Sequence, residues 1–255
     1  MSAIHLSRPA AQVALLEIDN PPMNALGRAA RAALLARLDE IDADGAVRAV
    51  ILTGRGTRAF CSGDDLKEQA EAQKAQSSAH LGEFGRVLER IETYRLPVIA
   101  AINGWCLGGG LELASVCDIR IASAEARFVC SGVNVGLMAS AYRLPRLIGV
   151  ARAKHMLLTG SPFDAATADR FGLVTAVHAP DALMAEALAL ASRIASRAPL
   201  SVEATKRTAA LAPDLSPQEA AAVNAKELAV LGRSADHKAA LAAFAEKREP
   251  MFKRE

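Results

Sequence analysis

Aromatic side chains are scarce in this sequence, 4% of 255 residues with a single tryptophan, Trp105, so surfaces for stacking bases are not expected. An excess of one charge is also missing. The 30 basic and 28 acidic residues are mixed along the chain for a net +2, which leaves no electrostatic case for nucleic acid. Cys61, Cys106, Cys117 and Cys130 form no Cys-x-x-Cys pair and sit among small or apolar residues. Buried, reduced thiols in a cytoplasmic protein are expected. The five histidines lack metal-ligand spacing, and no metal centre is expected. No basic-then-apolar leader opens the chain, and its longest apolar region is interrupted by Asn103, glycines and Glu112, a poor membrane span. A Walker A pattern and a Gly-x-Gly-x-x-Gly fingerprint are both absent, which disfavours a nucleotide phosphate cradle.

What is present is apolar bulk: 51% hydrophobic residues, enough for one large domain or a domain with an appended helical part. Residues 12–19 alternate loosely and stop at Asn20-Pro21-Pro22, a strand ended by prolines. Leu34, Leu35, Leu38 and Ile41 recur at helical spacing over 29–42, and 47–53 reads as a second strand, an order that implies a right-handed crossover and parallel pairing. A polar stretch over 67–78 is expected to be helical or mobile, followed by a helix over 81–94. Short strands are expected at 118–122, 127–130 and 173–177, with helices at 151–158 and 164–171. Beyond Ala179 only helices are predicted, over 182–198, 201–212, 217–231 and 236–247. The composition shift divides the chain into a core, 1–195, and a helical C-terminal region, 196–255.

Val98 to Ile102 is an apolar run of strand length, closed by Asn103-Gly104 and followed by Gly108-Gly109-Gly110 and a short helix from Leu111 to Cys117. Glu112 falls in the first turn of that helix, where burial among Leu111, Leu113 and Val116 is costly without a partner. Bare backbone at a helix N-terminus is suited to hold an oxyanion, with Glu112 one turn away as acid or base. An ordinary glycine turn with Glu112 facing water satisfies the spacing equally well.

Pro97-Val98-Ile99-Ala100-Ala101-Ile102-Asn103-Gly104, with Gly108 to Ala114 and Cys117-Asp118, resembles the signature of the enoyl-CoA hydratase/isomerase (crotonase) superfamily. Asn20 to Leu26, Phe60 to Leu66, Leu158 to Val174 and Glu246 to Phe252 resemble its other motifs, in order and over nearly the whole chain. The resemblance implies an α/β fold, a crotonase-like spiral of ββα turns with a helical C-terminal trimerisation region. It implies an acyl-CoA-acting enzyme of hydratase/isomerase type, working as a homotrimer or homohexamer. Another enolate-forming reaction (decarboxylation or thioester hydrolysis) and a CoA-thioester-binding protein with weak or no catalysis are the alternatives. No cofactor is implied beyond the coenzyme A of the substrate, and neither a membrane nor nucleic acid as partner.

By the same resemblance, the main-chain N–H groups of Asp64 and Gly109 polarise the thioester carbonyl, and Glu112 is the catalytic carboxylate. The Asp64 side chain is expected to turn outward or toward Lys67. Ala25, Leu26, Ser62, Asp65, Leu66 and Lys67 are the coenzyme A candidates. Lys247, Arg248 and Lys253 are possible phosphate contacts, with a solvated helix end the safer reading for Arg248. The family's second glutamate falls on Gly132, which has no side chain, and the loop after it is a few residues shorter than in hydratases. Ser131, Asn134 and Tyr142 are candidates to assist, although each is more often structural. Cys61 and Cys130 lie near the pocket on this map without a neighbouring base.

Overall fold

The apolar runs read from the sequence become the central strands of a sheet covered on both faces, the usual place for strands without polar alternation. The structure, a computed structural model, describes residues 3–74 and 79–255. In chain order its elements are β1 (Ala3–Ala10), β2 (Val13–Asp19), α1 (Arg28–Ala43), β3 (Ala49–Gly54), β4 (Ala59–Cys61), α2 (Leu66–Lys74), α3 (Ala79–Glu92), β5 (Val98–Ile102), β6 (Trp105–Leu107), α4 (Gly109–Val116), β7 (Ile119–Ser123) and β8 (Arg127–Val129). After a 3-10 turn at Ser131–Val135 come α5 (Arg143–Ile148), α6 (Val150–Thr159), β9 (Pro162–Asp164), α7 (Ala165–Phe171), β10 (Ala176–His178), α8 (Leu183–Ala195), α9 (Pro199–Leu211), α10 (Pro217–Leu231) and α11 (Ala235–Ala245).

One sheet has the order β1-β2-β3-β5-β7-β10, with only the β1–β2 pair antiparallel. The other has the order β4-β6-β8-β9, antiparallel only at β8–β9. Because β3 leads into β4, β5 into β6 and β7 into β8, each turn of chain lays one strand in each sheet. The result is a spiral of strand-strand-helix turns. Pairing of β2 with β3 is parallel, as the strand–helix–strand order predicts. In β3 and β5, Val50, Leu52, Val98, Ala100 and Ile102 pack toward Leu34, Leu38 and Ile91 of α1 and α3. The alternate residues Ala49, Ile51, Ile99 and Ala101 pack toward Leu183, Ala187 and Ala191 of α8.

Four strands are not foreseen in the sequence. β4, β6 and β9 have three residues each, too few for a period of two to register, and β1 precedes the first strand predicted. The last parallel strand lies at Ala176–His178 rather than 173–177, because Leu173 and Val174 are buried where the chain leaves α7. The polar stretch predicted over 67–78 forms α2 as far as Lys74; residues 75–78 lie outside the described residues.

The later helices differ from α8. α10 opens with a Ser216–Glu219 capping box and Pro217 in its first turn, yet buries none of its residues. Leu228, Val230, Leu241 and Phe244 of α10 and α11 are exposed. The tail folds back. Asp236 accepts the N–H groups of Lys253 at 2.7 Å and Arg254 at 3.0 Å, and Arg254 pairs with the buried Glu203. No helix among the described residues is long and apolar enough to cross a membrane.

Candidate active site

Two glycine-bearing segments meet because neither carries a side chain at the crossing. Gly63 has φ +87°, and a Cβ there would lie 2.6 Å from the Gly109 nitrogen. Gly108 has φ +46°, which favours glycine, and a Cβ on Gly110 would lie 2.0 Å from the Cys61 carbonyl oxygen. The first segment is pinned by the Leu26 N–H, which donates to the Gly63 oxygen at 2.7 Å, and by a bridge between Leu26 and Asp64. Gly109 is the first residue of α4, so its N–H has no acceptor within the helix.

Next to this crossing lies a cavity of about 330 Å³, bordered by Asp64, Gly109, Glu112, Ser131 and Gly132, with Phe84 and Leu88 of α3 as an apolar side. Glu112 borders this cavity. Its Oε1 accepts the Ser140 N–H at 2.7 Å. Ser140 is 5% exposed with φ +59°, and its hydroxyl has no hydrogen-bond partner among the described residues. A charge-assisted bond of this kind orients the carboxylate.

In the same cavity lining, a Cβ on Gly132 would lie 3.0 Å from both the Ala139 nitrogen and the Leu137 oxygen. The Leu137 N–H also donates to the Gly132 oxygen at 2.8 Å. A side chain at 132 would therefore press on the main chain of residues 137 and 139, which must give by a few tenths of an ångström to admit it. Past Gly132 and Met138 a second, more apolar cavity of about 390 Å³ is bordered by Val133, Val150, Leu157 and Lys154.

The side chain of Asp64 corrects its expectation. It turns neither outward nor toward Lys67 but into an ion pair with Arg31 of α1. Ser62 and Leu66 border the first cavity. Leu26 is fully buried with its N–H and carbonyl engaged by Gly63 and Arg31, and it, Ala25, Asp65 and Lys67 do not border that cavity. Asp65 Oδ1 accepts the Lys67 and Glu68 N–H groups at 2.9 and 3.4 Å, the work of a helix cap.

Of the three candidate assistants, only Ser131 borders the first cavity. Asn134 donates to the Gly160 oxygen at 2.9 Å, and Tyr142 is exposed with the Arg146 guanidinium over its ring. Arg248 pairs with Glu246, and Lys253 borders a small cleft with Arg48 and Arg197. All four cysteines are free and buried, and burial pushes the thiols of Cys61, Cys117 and Cys130 up to about 12. At neutral pH they are poor nucleophiles.

This geometry accompanies a match of residues 8–255 to the enoyl-CoA hydratase/isomerase family. The chain belongs to that family. It is 38% identical to the (E)-benzylidenesuccinyl-CoA hydratase of Thauera aromatica, covering 94% of this chain and 95% of that one. It is 37% identical to the short-chain-enoyl-CoA hydratase of Clostridium acetobutylicum, covering 93% of each. The crystal structure of an enoyl-CoA hydratase from Bacillus anthracis superposes with a TM-score of 0.95 at 34% identity, covering 99% of both chains. The protein is thus an acyl-CoA-acting enzyme of the crotonase type, with the spiral fold the motifs imply.

Sequence reasoning misses Arg31 and Ser140 in this crotonase site. Arg31 is signalled weakly, as a cation among the apolar positions of α1, with Ala30 and Leu34 on the same face. Ser140 carries no local signal, since its role comes from backbone conformation.

Proposed function

We propose that this enzyme moves protons at the α-carbon of an enoyl-CoA thioester with Glu112 as its single side-chain acid/base. In this reading the thioester oxygen sits between the N–H groups of Asp64 and Gly109, which stabilise the enolate as it forms. One observation carries the proposal: Glu112, held by Ser140, shares a cavity with Asp64 and Gly109, while position 132 brings no carboxylate and is crowded by main chain at 3.0 Å. One carboxylate suffices for isomerisation. It takes a proton from C2 of a 3-enoyl thioester and returns it to C4, leaving the conjugated 2-enoyl thioester.

Hydration is the second reading, favoured by relatives named as hydratases. There Glu112 would take a proton from water as the oxygen bonds to C3 and pass that proton to C2. Ser62 and Leu66 would flank the pantetheine arm, with Ala25, Asp65 and Lys67 at the cavity mouth and the buried Leu26 supporting the segment from behind. No cofactor beyond the substrate's coenzyme A enters this scheme. The apolar faces of α10 and α11 suit contact with further copies, as a trimer or pair of trimers, and the four buried thiols suit the cytosol.

Turnover of 3-enoyl-CoA and crotonyl-CoA, with products identified by mass, tests the scheme. Isomerisation should outpace hydration, and the reverse order supports the second reading. Glu112→Gln should lower either rate by about 100- to 10,000-fold. Undiminished activity in that variant would sink the proposal.

A further inference from the structure

Asp64 gives the oxyanion site an awkward feature: the residue assigned to donate a main-chain N–H to a developing negative charge carries a carboxylate of its own. Left alone in a cavity wall, that carboxylate would oppose the enolate it is meant to help form, and a wall poor in water screens the repulsion weakly. The structure answers it with Arg31, whose side chain is 2% exposed. One guanidinium nitrogen, Nη1, donates to the Asp64 carboxylate and, at 3.1 Å, to the oxygen of Leu26. The other, Nη2, donates to Glu83 of α3 at 3.2 Å. Arg31 thereby joins three parts of the site. These are the strap at Leu26 that pins the Gly63–Asp64 segment, the acid on that segment, and the helix whose Phe84 and Leu88 border the cavity.

We infer that Arg31 is a positioning residue for the oxyanion site: it neutralises Asp64 and draws its side chain toward α1, leaving the Asp64 N–H for the thioester oxygen. This rests on the acyl-CoA reading of the cavity. A buried ion pair with no bearing on the reaction predicts something different. Breaking it would lower stability but leave the polarisation of bound thioester unchanged.

The probe is a conjugated, chromophoric enoyl-CoA whose absorption moves to the red as its carbonyl is polarised, read alongside kcat and KM for the turned-over substrate. Arg31→Leu should lose at least half of the red shift and about 100-fold in kcat, the scale of a lost oxyanion donor, with KM changing by less than about threefold. Arg31→Leu combined with Asp64→Ala should recover at least about tenfold of that loss, since the opposing charge leaves with its partner. A folded Arg31→Leu protein with the parental red shift and kcat overturns the inference, as does a folded double variant with no recovery. Should Arg31→Leu not fold, Asp64→Asn reads the same coupling with opposite sign. It removes the carboxylate, leaves the guanidinium and should enlarge the red shift; an unchanged shift overturns the inference. A parent protein with neither red shift nor turnover overturns the acyl-CoA reading itself, a separate result.

Discussion

The two walls of the cavity are built on opposite principles. One, from Gly63 and the start of α4, is main chain pressed on main chain, with hypothetical Cβ distances of 2.0–2.6 Å at Gly110 and Gly63 and fully buried Leu111 and Leu113 behind it. The other, residues 131–140, carries exposed Val135, Leu137 and Met138, and its ties to the body of the protein include the Ser140–Glu112 bond and Asn134 on Gly160. On the proposed scheme, the first wall places two amides to within tenths of an ångström, which leaves no freedom for side chains. A wall that only shapes the acyl group can vary its apolar surface. The carboxylate is anchored on the first wall and oriented from the second.

The sharpest way to break this contrast is Gly109→Pro. Proline is tolerated in the first turn of a helix, so α4 should persist, with the Phe84 ring (2.9 Å from a Cβ at 109) and the Gly63 main chain (3.0 Å) both giving way. Its lost N–H should lower kcat by about 100- to 1,000-fold with helical circular dichroism retained. Full activity would mean that the amide faces no oxyanion. A smaller effect is expected on the second wall from Gly132→Glu. Its Cβ meets main chain at 3.0 Å, so the loop must give, and stability should fall by about 1–3 kcal/mol in thermal or denaturant melts. Hydration of crotonyl-CoA should not rise, because the graft displaces the loop that holds Glu112; a tenfold gain would show that the loop yields freely.

The thiols give the mildest test. Cys61 lies behind the first wall and Cys130 borders the second cavity, and burial lifts both to about 12. A raised folded value favours the folded state below the thiol's ordinary value of about 8.5, and this contribution is lost as pH climbs toward the folded one. At pH 8 neither should react with a thiol reagent in the native protein, and toward pH 11 Cys130 should be modified before Cys61, as followed by mass. Reaction of Cys61 first would reverse the contrast between the walls.

The first wall was legible in the sequence because its parts are contiguous. Val98–Ile102, three glycines and Glu112 occupy one short stretch, and the Gly63 segment carries a motif of its own. The spiral was legible through its long strands, whereas β4, β6 and β9 are set by pairing with neighbours and not by their own three residues. The second wall was half legible. That position 132 lacks a carboxylate can be read directly, but that main chain crowds the position follows from where residues 137–139 return. The Arg31–Asp64 pair spans 33 positions, and periodicity alone marks Arg31 only as an anomaly on an apolar face.

The folded-back tail has a consequence for how the molecule tolerates damage. Asp236 and Glu203 are 3% and 5% exposed, and each is satisfied in part by residues 253 and 254. A chain clipped after Phe252 would keep every strand and every group at the cavity. It would nevertheless leave Asp236 without the N–H groups of residues 253 and 254 and Glu203 with Arg95 alone, at a cost of several kcal/mol. The fold in this way draws stability from residues 253 and 254 through carboxylates that take no part in its chemistry.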